Sequence, residues 1–190
     1  MLESHPGVLV RPARPRDAVP FLQAFRAVAA ERRFVRTEVV ARPARSYRRR
    51  FRSSYDERGA HLVALVGDSL VGSLSIRRED QPVTRHVATL GMFVTAEHRG
   101  RGVGTALMEE AMAWARRHGV ERVELTVYPN NEAALALYRR FGFEREGVLV
   151  RRSKKSYGYE DEILMAAWIG PPTETGPPTE VGVPTEETQS

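Results

Sequence analysis

The segment Arg99-Gly100-Arg101-Gly102-Val103-Gly104 has the residue types and spacing to bind an anion. It lies between an apolar run, Val87–Val94, that reads as a buried strand, and Thr105–His118, which has the spacing of an amphipathic helix. A glycine loop at such a junction exposes backbone N–H groups that the helix cannot pair, and the positive end of the helix dipole reinforces them. Glycine also lets the backbone approach a phosphate with no Cβ in the way. The spacing excludes two common phosphate loops. A P-loop needs G-x-x-x-x-G-K-[ST], and the chain has no Gly-Lys pair; a dinucleotide fingerprint needs G-x-G-x-x-G in the first strand–helix unit, whereas this loop reads G-x-G-x-G in mid-chain. With no cysteine, disulfides and a cysteine acyl-enzyme are ruled out. The five histidines, His5, His61, His86, His98 and His118, include no i, i+4 pair, so no metal site is expected.

The elements that must position this loop are legible on either side of it. Val8–Arg11 reads as a short strand, and Asp17 as the N-cap of a helix that runs to about Arg33, with Pro20 in its first turn. Tyr47–Tyr55 reads as a second, arginine-studded helix. His61–Val66 and Leu70–Arg77 form a hairpin about Gly67-Asp68-Ser69. Beyond the loop helix, closed by His118-Gly119, Val123–Tyr128 alternates as a half-buried strand. Asn131 caps a helix ending at Phe141-Gly142, and Phe143–Arg152 and Glu160–Trp168 make a last antiparallel pair. From Gly170 a six-residue Gly-Pro-Pro-Thr-Glu theme repeats, which cannot bury a core. Residues 1–170 are therefore expected to form one domain, and 171–190 a low-complexity, disordered tail.

The loop matches Arg-x-x-Gly-x-Gly, and 27 residues after Gly104 the stretch Asn131–Phe143 matches Asn-x-x-Ala-x-x-Leu-Tyr-x-x-x-Gly-Phe. Together with the opening Val8–Asp17 and the ending Gly158–Met165, these motifs resemble the GCN5-related N-acetyltransferases, the GNAT superfamily, over roughly residues 8–169. The resemblance implies an α/β fold with a mixed, mostly antiparallel sheet of six to seven strands flanked by about four helices. It also implies acetyl-CoA as co-substrate and no metal.

Carried onto this sequence, the resemblance gives the cofactor to Met92, Phe93 and Val94, through backbone groups freed where their strand splays from its neighbour. The pyrophosphate goes to the N–H groups of Gly100, Arg101, Gly102, Val103, Gly104 and Thr105, with charge from Arg99 and Arg101. Asn131 would cap its helix and touch the pantetheine arm. Tyr138, seven residues on and on the same helix face, would point at the sulfur; a phenol keeps its proton at pH 7 and suits donation to a departing thiolate. The general base is less well marked. Positions where relatives carry a glutamate are Ala88 and Thr126 here, so Glu31 and His86 are the candidate bases, acting directly or through water.

The reading is an N-acetyltransferase acting by direct transfer onto a primary amine of a small molecule such as an amino acid. Glu31–Phe34, Glu124–Tyr128 and Gly158–Asp161 look most like a bacterial branch that acetylates such amines. Its rivals are a protein N-terminal or lysine acetyltransferase and a non-catalytic acetyl-CoA-binding module. A nucleic-acid-binding role is not expected. Nine arginines fall between Arg32 and Arg52 within a net charge of +5, but no aromatic-interleaved strand pair or recognition-helix pattern accompanies them. No apolar run or signal peptide suggests a membrane, so a cytoplasmic protein is expected, with a homodimer among the assemblies allowed.

Overall fold

The computed structural model describes residues 7–170. The expected 171–190 tail lies outside the described residues. In chain order the elements are β1 (Val8–Pro12), α1 (Ala18–Ala30), α2 (Ala44–Arg50), β2 (Tyr55–Asp56), β3 (Gly59–Val66), β4 (Ser69–Arg78), β5 (Val87–Val94), α3 (Val103–Arg117), β6 (Arg122–Val127), α4 (Glu132–Arg140), β7 (Glu144–Lys155) and β8 (Gly158–Trp168). The strands form one sheet in the order β1-β3-β4-β5-β6-β8-β7, with β2 paired beside β3. All neighbours are antiparallel except β5 and β6. The sheet thus has eight strands rather than six to seven, the extra one being the two-residue β2.

Two expectations near the start of the chain are corrected. Asp17 does not cap α1 with its side chain; it accepts two hydrogen bonds from Arg11, at 2.6 and 2.8 Å, and one from the Arg14 N–H. The second helix ends at Arg50, because Phe51 is drawn into the core and Ser54 Oγ donates to the Ala13 carbonyl, which turns Tyr55 onto β3.

Side-chain alternation along the strands splits the core in two. On one face Leu62, Leu74, Leu90, Leu125 and Met165 pack against α3 and α4. On the other, Val63 and Phe93 pack against α1 and α2, where Phe21, Phe25, Tyr47 and Phe51 form an aromatic cluster. The glycine loop and α4 belong to the first face. The arginine-rich segment 31–50 covers the second.

Candidate active site

β5 and β6 pair only from Val87–Thr89 against Arg122–Glu124, and beyond that the two strands part. The Thr95 N–H donates to the Val71 carbonyl, and Gly72 lies opposite Val94. Alternation then turns the N–H and C=O of Phe93 onto β4 and those of Met92 and Val94 toward the gap. Phe93 is therefore corrected as a backbone ligand: its main chain is spent in the β4 ladder and its ring in the aromatic cluster. The Val94 carbonyl is partly committed as well, accepting from Arg99 Nε at 3.1 Å.

A cavity of about 870 Å³ runs through this gap and reaches both faces of the sheet. From the α3–α4 face it is lined by Met92, Asn131 and Tyr138, and from the other by Phe25, Tyr47, Thr126, Arg36 and Glu162, among others. Asn131 caps α4, its side-chain oxygen accepting from the Ala134 N–H at 3.3 Å. Tyr138 is 6% exposed, and burial pushes its phenol up to about 12. It holds its proton at any ordinary pH, so it is available as a hydrogen-bond donor and not as a base.

At the mouth of the gap, Gly100 and Gly102 have φ of +70° and +82°, a backbone that other residues adopt at a cost. Gly102 precedes α3, so the N–H groups of Val103, Gly104 and Thr105 begin the helix with no intrahelical acceptor. Gly104 serves packing too, since a Cβ there would sit 3.0 Å from Leu137 Cδ2 on α4. Arg101 is exposed beside this N–H cluster. The backbone geometry is of the kind that fits a pyrophosphate.

The two candidate bases are not brought to the cavity. His86 stands at the paired end of β5, its ring stacked on Trp168 at 6.4 Å. Glu31 is bound through both oxygens by Arg99, at 2.7 Å each, and Arg99 also lies over the Phe34 ring. Neither residue lines the cavity, so the structure does not bring Glu31 or His86 to the gap. Arg99 is likewise occupied by a protein carboxylate.

Two carboxylates do line the cavity, Glu124 and, singled out by no spacing, Glu162. Glu162 is 2% exposed and is bonded by Arg36 Nε at 2.8 Å, by the Arg36 Nη2, and by Ser153 Oγ at 2.5 Å. Arg36 also donates to Thr126 Oγ1 at 2.9 Å, and Tyr128 donates to Ser153. Burial alone would raise the Glu162 pKa, but the hydrogen bonds from Arg36, Ser153 and Thr126 outweigh it and hold it at about 2. A carboxylate from β8 thus lies beside Thr126. Ala88, the other position compared, is fully buried on the α3 side and could not serve.

The segment 31–43 lies over this half of the cavity and is tied down between residues 31 and 38. Besides Glu31–Arg99 and Arg36–Glu162, Glu38 accepts from Ser156 N–H and Oγ at 2.9 Å, and Lys155 donates to the Val35 carbonyl. Lys155 also lies over the Tyr128 ring. No group of metal-ligating residues occurs among the described residues, and no helix there is long and apolar enough to cross a membrane.

Comparisons with known proteins agree with this layout. The sequence profile of the acetyltransferase (GNAT) family matches residues 26–143. An L-amino acid N-acetyltransferase of Escherichia coli is 37% identical over 109 residues, 55% of this chain and 65% of that protein, a little under two thirds of its length. The crystal structure of a GNAT acetyltransferase from Streptococcus pneumoniae superposes with a TM-score of 0.80 at 26% identity, covering 86% of this chain and 99% of that one. A phosphinothricin acetyltransferase from Sinorhizobium meliloti, solved in complex with acetyl-CoA, shares the fold with a TM-score of 0.78 at 21% identity over 94% and 96% of the two chains. With the parted strands, the glycine loop before α3 and a profile match over most of the described fold, this chain belongs to the GNAT acetyltransferase family.

Proposed function

We propose that the protein is an acetyl-CoA-dependent N-acetyltransferase whose acceptor is a small primary amine such as an amino acid. The observation that carries this reading is the cavity that crosses the sheet where β5 and β6 part. Acetyl-CoA enters from the α3–α4 face, with its pyrophosphate on the N–H groups before α3 and its arm along Met92. The same co-substrate is bound in the Sinorhizobium meliloti relative. The amine enters from the α1–α2 face. Its nitrogen attacks the thioester carbonyl, the C–S bond breaks, and the nitrogen gives up a proton to water. The Tyr138 phenol donates a hydrogen bond to the sulfur as negative charge develops there.

A small acceptor is favoured over a polypeptide because the segment 31–43 covers the acceptor half and is bonded to the glycine loop, β8 and the β7–β8 turn. The Escherichia coli relative, named for amino-acid acetylation, supports the same choice. Thiol release from acetyl-CoA, measured against free amino acids, polyamines and peptides, tests it. Release with one or more amino acids and none with peptides is expected. Release with peptides alone would overturn the acceptor class, and no release with any amine would overturn the activity.

A further inference from the structure

The acceptor half of the cavity has two electrically different ends. At one end lie the carboxylates of Glu162 and Glu124, from β8 and β6, with Arg152 of β7 at the rim. At the other lie Arg42 and Arg50, from the start and end of the α2 region, above His61, Ser73 and Ser75. Glu162 is matched by Arg36, and Glu124 accepts from Arg122 at 2.8 Å. The arginine end has no such match: among the described residues neither the Arg42 nor the Arg50 side chain has an ion pair or hydrogen bond. These two guanidinium groups therefore line one cavity, near enough to repel each other, with no protein anion paired to either among the described residues.

Their surroundings sharpen the contrast. Burial, with Arg42 and Arg77 nearby, lowers the Arg50 pKa from its ordinary value, as expected for a cation held among cations. His61, 6% exposed, adds no charge of its own. Ser73 spends its one hydroxyl proton on the Leu62 carbonyl, so at 3.0 Å it accepts from His61 Nε2. Burial and Arg50 then push the His61 imidazole down to about 3. Both side chains are exposed at the edge of the cavity, where water solvates them; an anion entering it would meet two unpaired guanidinium forks, whose geometry matches a carboxylate.

We propose that Arg42 and Arg50 bind a carboxylate of the acceptor, so that the substrate is an amine that also carries an acid, held between the α2 arginines and the gap where the thioester lies. The proposal rests on the acetyltransferase reading and narrows it from small amines to zwitterionic ones. The carboxylate docks away from Glu162, and the amine is thereby aimed at the parted strands. Phe25 and Tyr47 line the cavity between them, which suits an acceptor with an apolar body.

The test measures binding and turnover separately on the full chain. Calorimetry in the presence of coenzyme A compares the twenty standard L-amino acids, each beside its primary amide, which keeps the shape and the amine but removes the negative charge. The best amino acid is expected to bind about 10- to 100-fold more tightly than its amide, and Arg50→Gln to reduce that ratio to a few fold. Arg42→Gln should do the same, and Arg50→Lys should retain part of the preference. Unchanged acetyl-CoA affinity shows that each variant is folded. Equal binding of acid and amide, no binding of any amino acid, or a preference that survives both glutamine variants would overturn the proposal. Thiol release is read on the same ligands. Binding discrimination without thiol release would sink the acetyltransferase reading and leave the carboxylate site standing; turnover indifferent to the carboxylate, with no binding discrimination, would do the reverse.

Discussion

On the α3–α4 face, the proposed pyrophosphate site consists of main-chain N–H groups from one six-residue segment and the first turn of one helix. On the α1–α2 face, the proposed acceptor site consists of side chains from widely separated stretches: Arg36, Arg42 and Arg50, Thr126, and Glu162. The difference follows from what each must recognise. A pyrophosphate is the same in every acyl-CoA, and a glycine-permitted backbone turn can bind it with little help from side chains. An acceptor differs from one enzyme to the next, and only side chains can be exchanged to suit it. A backbone site should be broken by changing a glycine. A side-chain site should be tunable residue by residue.

The largest effect is expected at Gly102. Gly102→Glu would impose a side chain on a residue at φ +82° and place a carboxylate where the pyrophosphate is proposed to sit. Acetyl-CoA affinity, by calorimetry, should fall by more than about 10³-fold while circular dichroism shows the fold retained. Unchanged affinity in a folded variant would remove the loop from the site.

Tyr138→Phe comes next, because it alters one atom at the boundary between the two halves. The kcat should fall about 10²-fold with little change in the KM for acetyl-CoA, since the hydroxyl is asked to act only as charge develops on sulfur. With its phenol at about 12, no pH dependence between 6 and 9 should arise from it. A wild-type kcat would return Tyr138 to core packing against Phe143.

Glu162→Gln is expected to cost stability, by about 2 kcal/mol, because a buried carboxylate bonded by Arg36 and Ser153 is replaced by a weaker acceptor. The sign with pH is definite. The folded-state pKa is depressed to about 2 from an ordinary 4.5, so this stabilisation is present above about 4.5 and is lost as pH falls toward 2. Unfolding midpoints in urea should show a shallower acid limb in the variant than in the wild type across that window. Parallel curves would mean that the Arg36–Glu162 contact contributes nothing to folding.

The same contrast explains what could be read from the chain. The loop, Asn131 and Tyr138 lie within two short motifs whose spacing is itself the signal, so the proposed co-substrate half could be laid out from the sequence. The order of strands and helices was legible too, through the switch from alternating to helical periodicity; β2 was not, because two residues carry no period. The acceptor half was hidden. Glu162 sits in a run of three acids, Glu160-Asp161-Glu162, and alternation alone cannot say which of them meets Arg36, 126 residues earlier. Likewise, nothing local in an arginine-rich stretch separates Arg36, which is paired, from Arg50, which is not. Glu31 and His86 have suitable chemistry, but tertiary structure placed one against Arg99 and the other at the closed end of β5.

The smallest effect is expected where the two halves are joined, at Glu31 and Arg99. Their side chains are 25% and 33% exposed, and a bidentate pair of that exposure contributes about 1 kcal/mol. A double-mutant cycle with Glu31→Gln and Arg99→Gln, read by urea unfolding, should return a coupling of that size in the free protein. Arg99 belongs to the loop proposed to hold the pyrophosphate, so the cycle repeated at saturating acetyl-CoA reports whether the cofactor takes Arg99 from Glu31. A coupling that shrinks with acetyl-CoA present would make the cover over the acceptor half responsive to the cofactor; a coupling that persists would make Arg99 a strut between the halves. In turnover, Glu31→Gln should change kcat no more than a few fold and leave its pH profile in place. A 10²-fold loss together with a vanished basic limb would restore Glu31 as the general base, and the division between a backbone half and a side-chain half would then have to be redrawn through the ion pair that joins them.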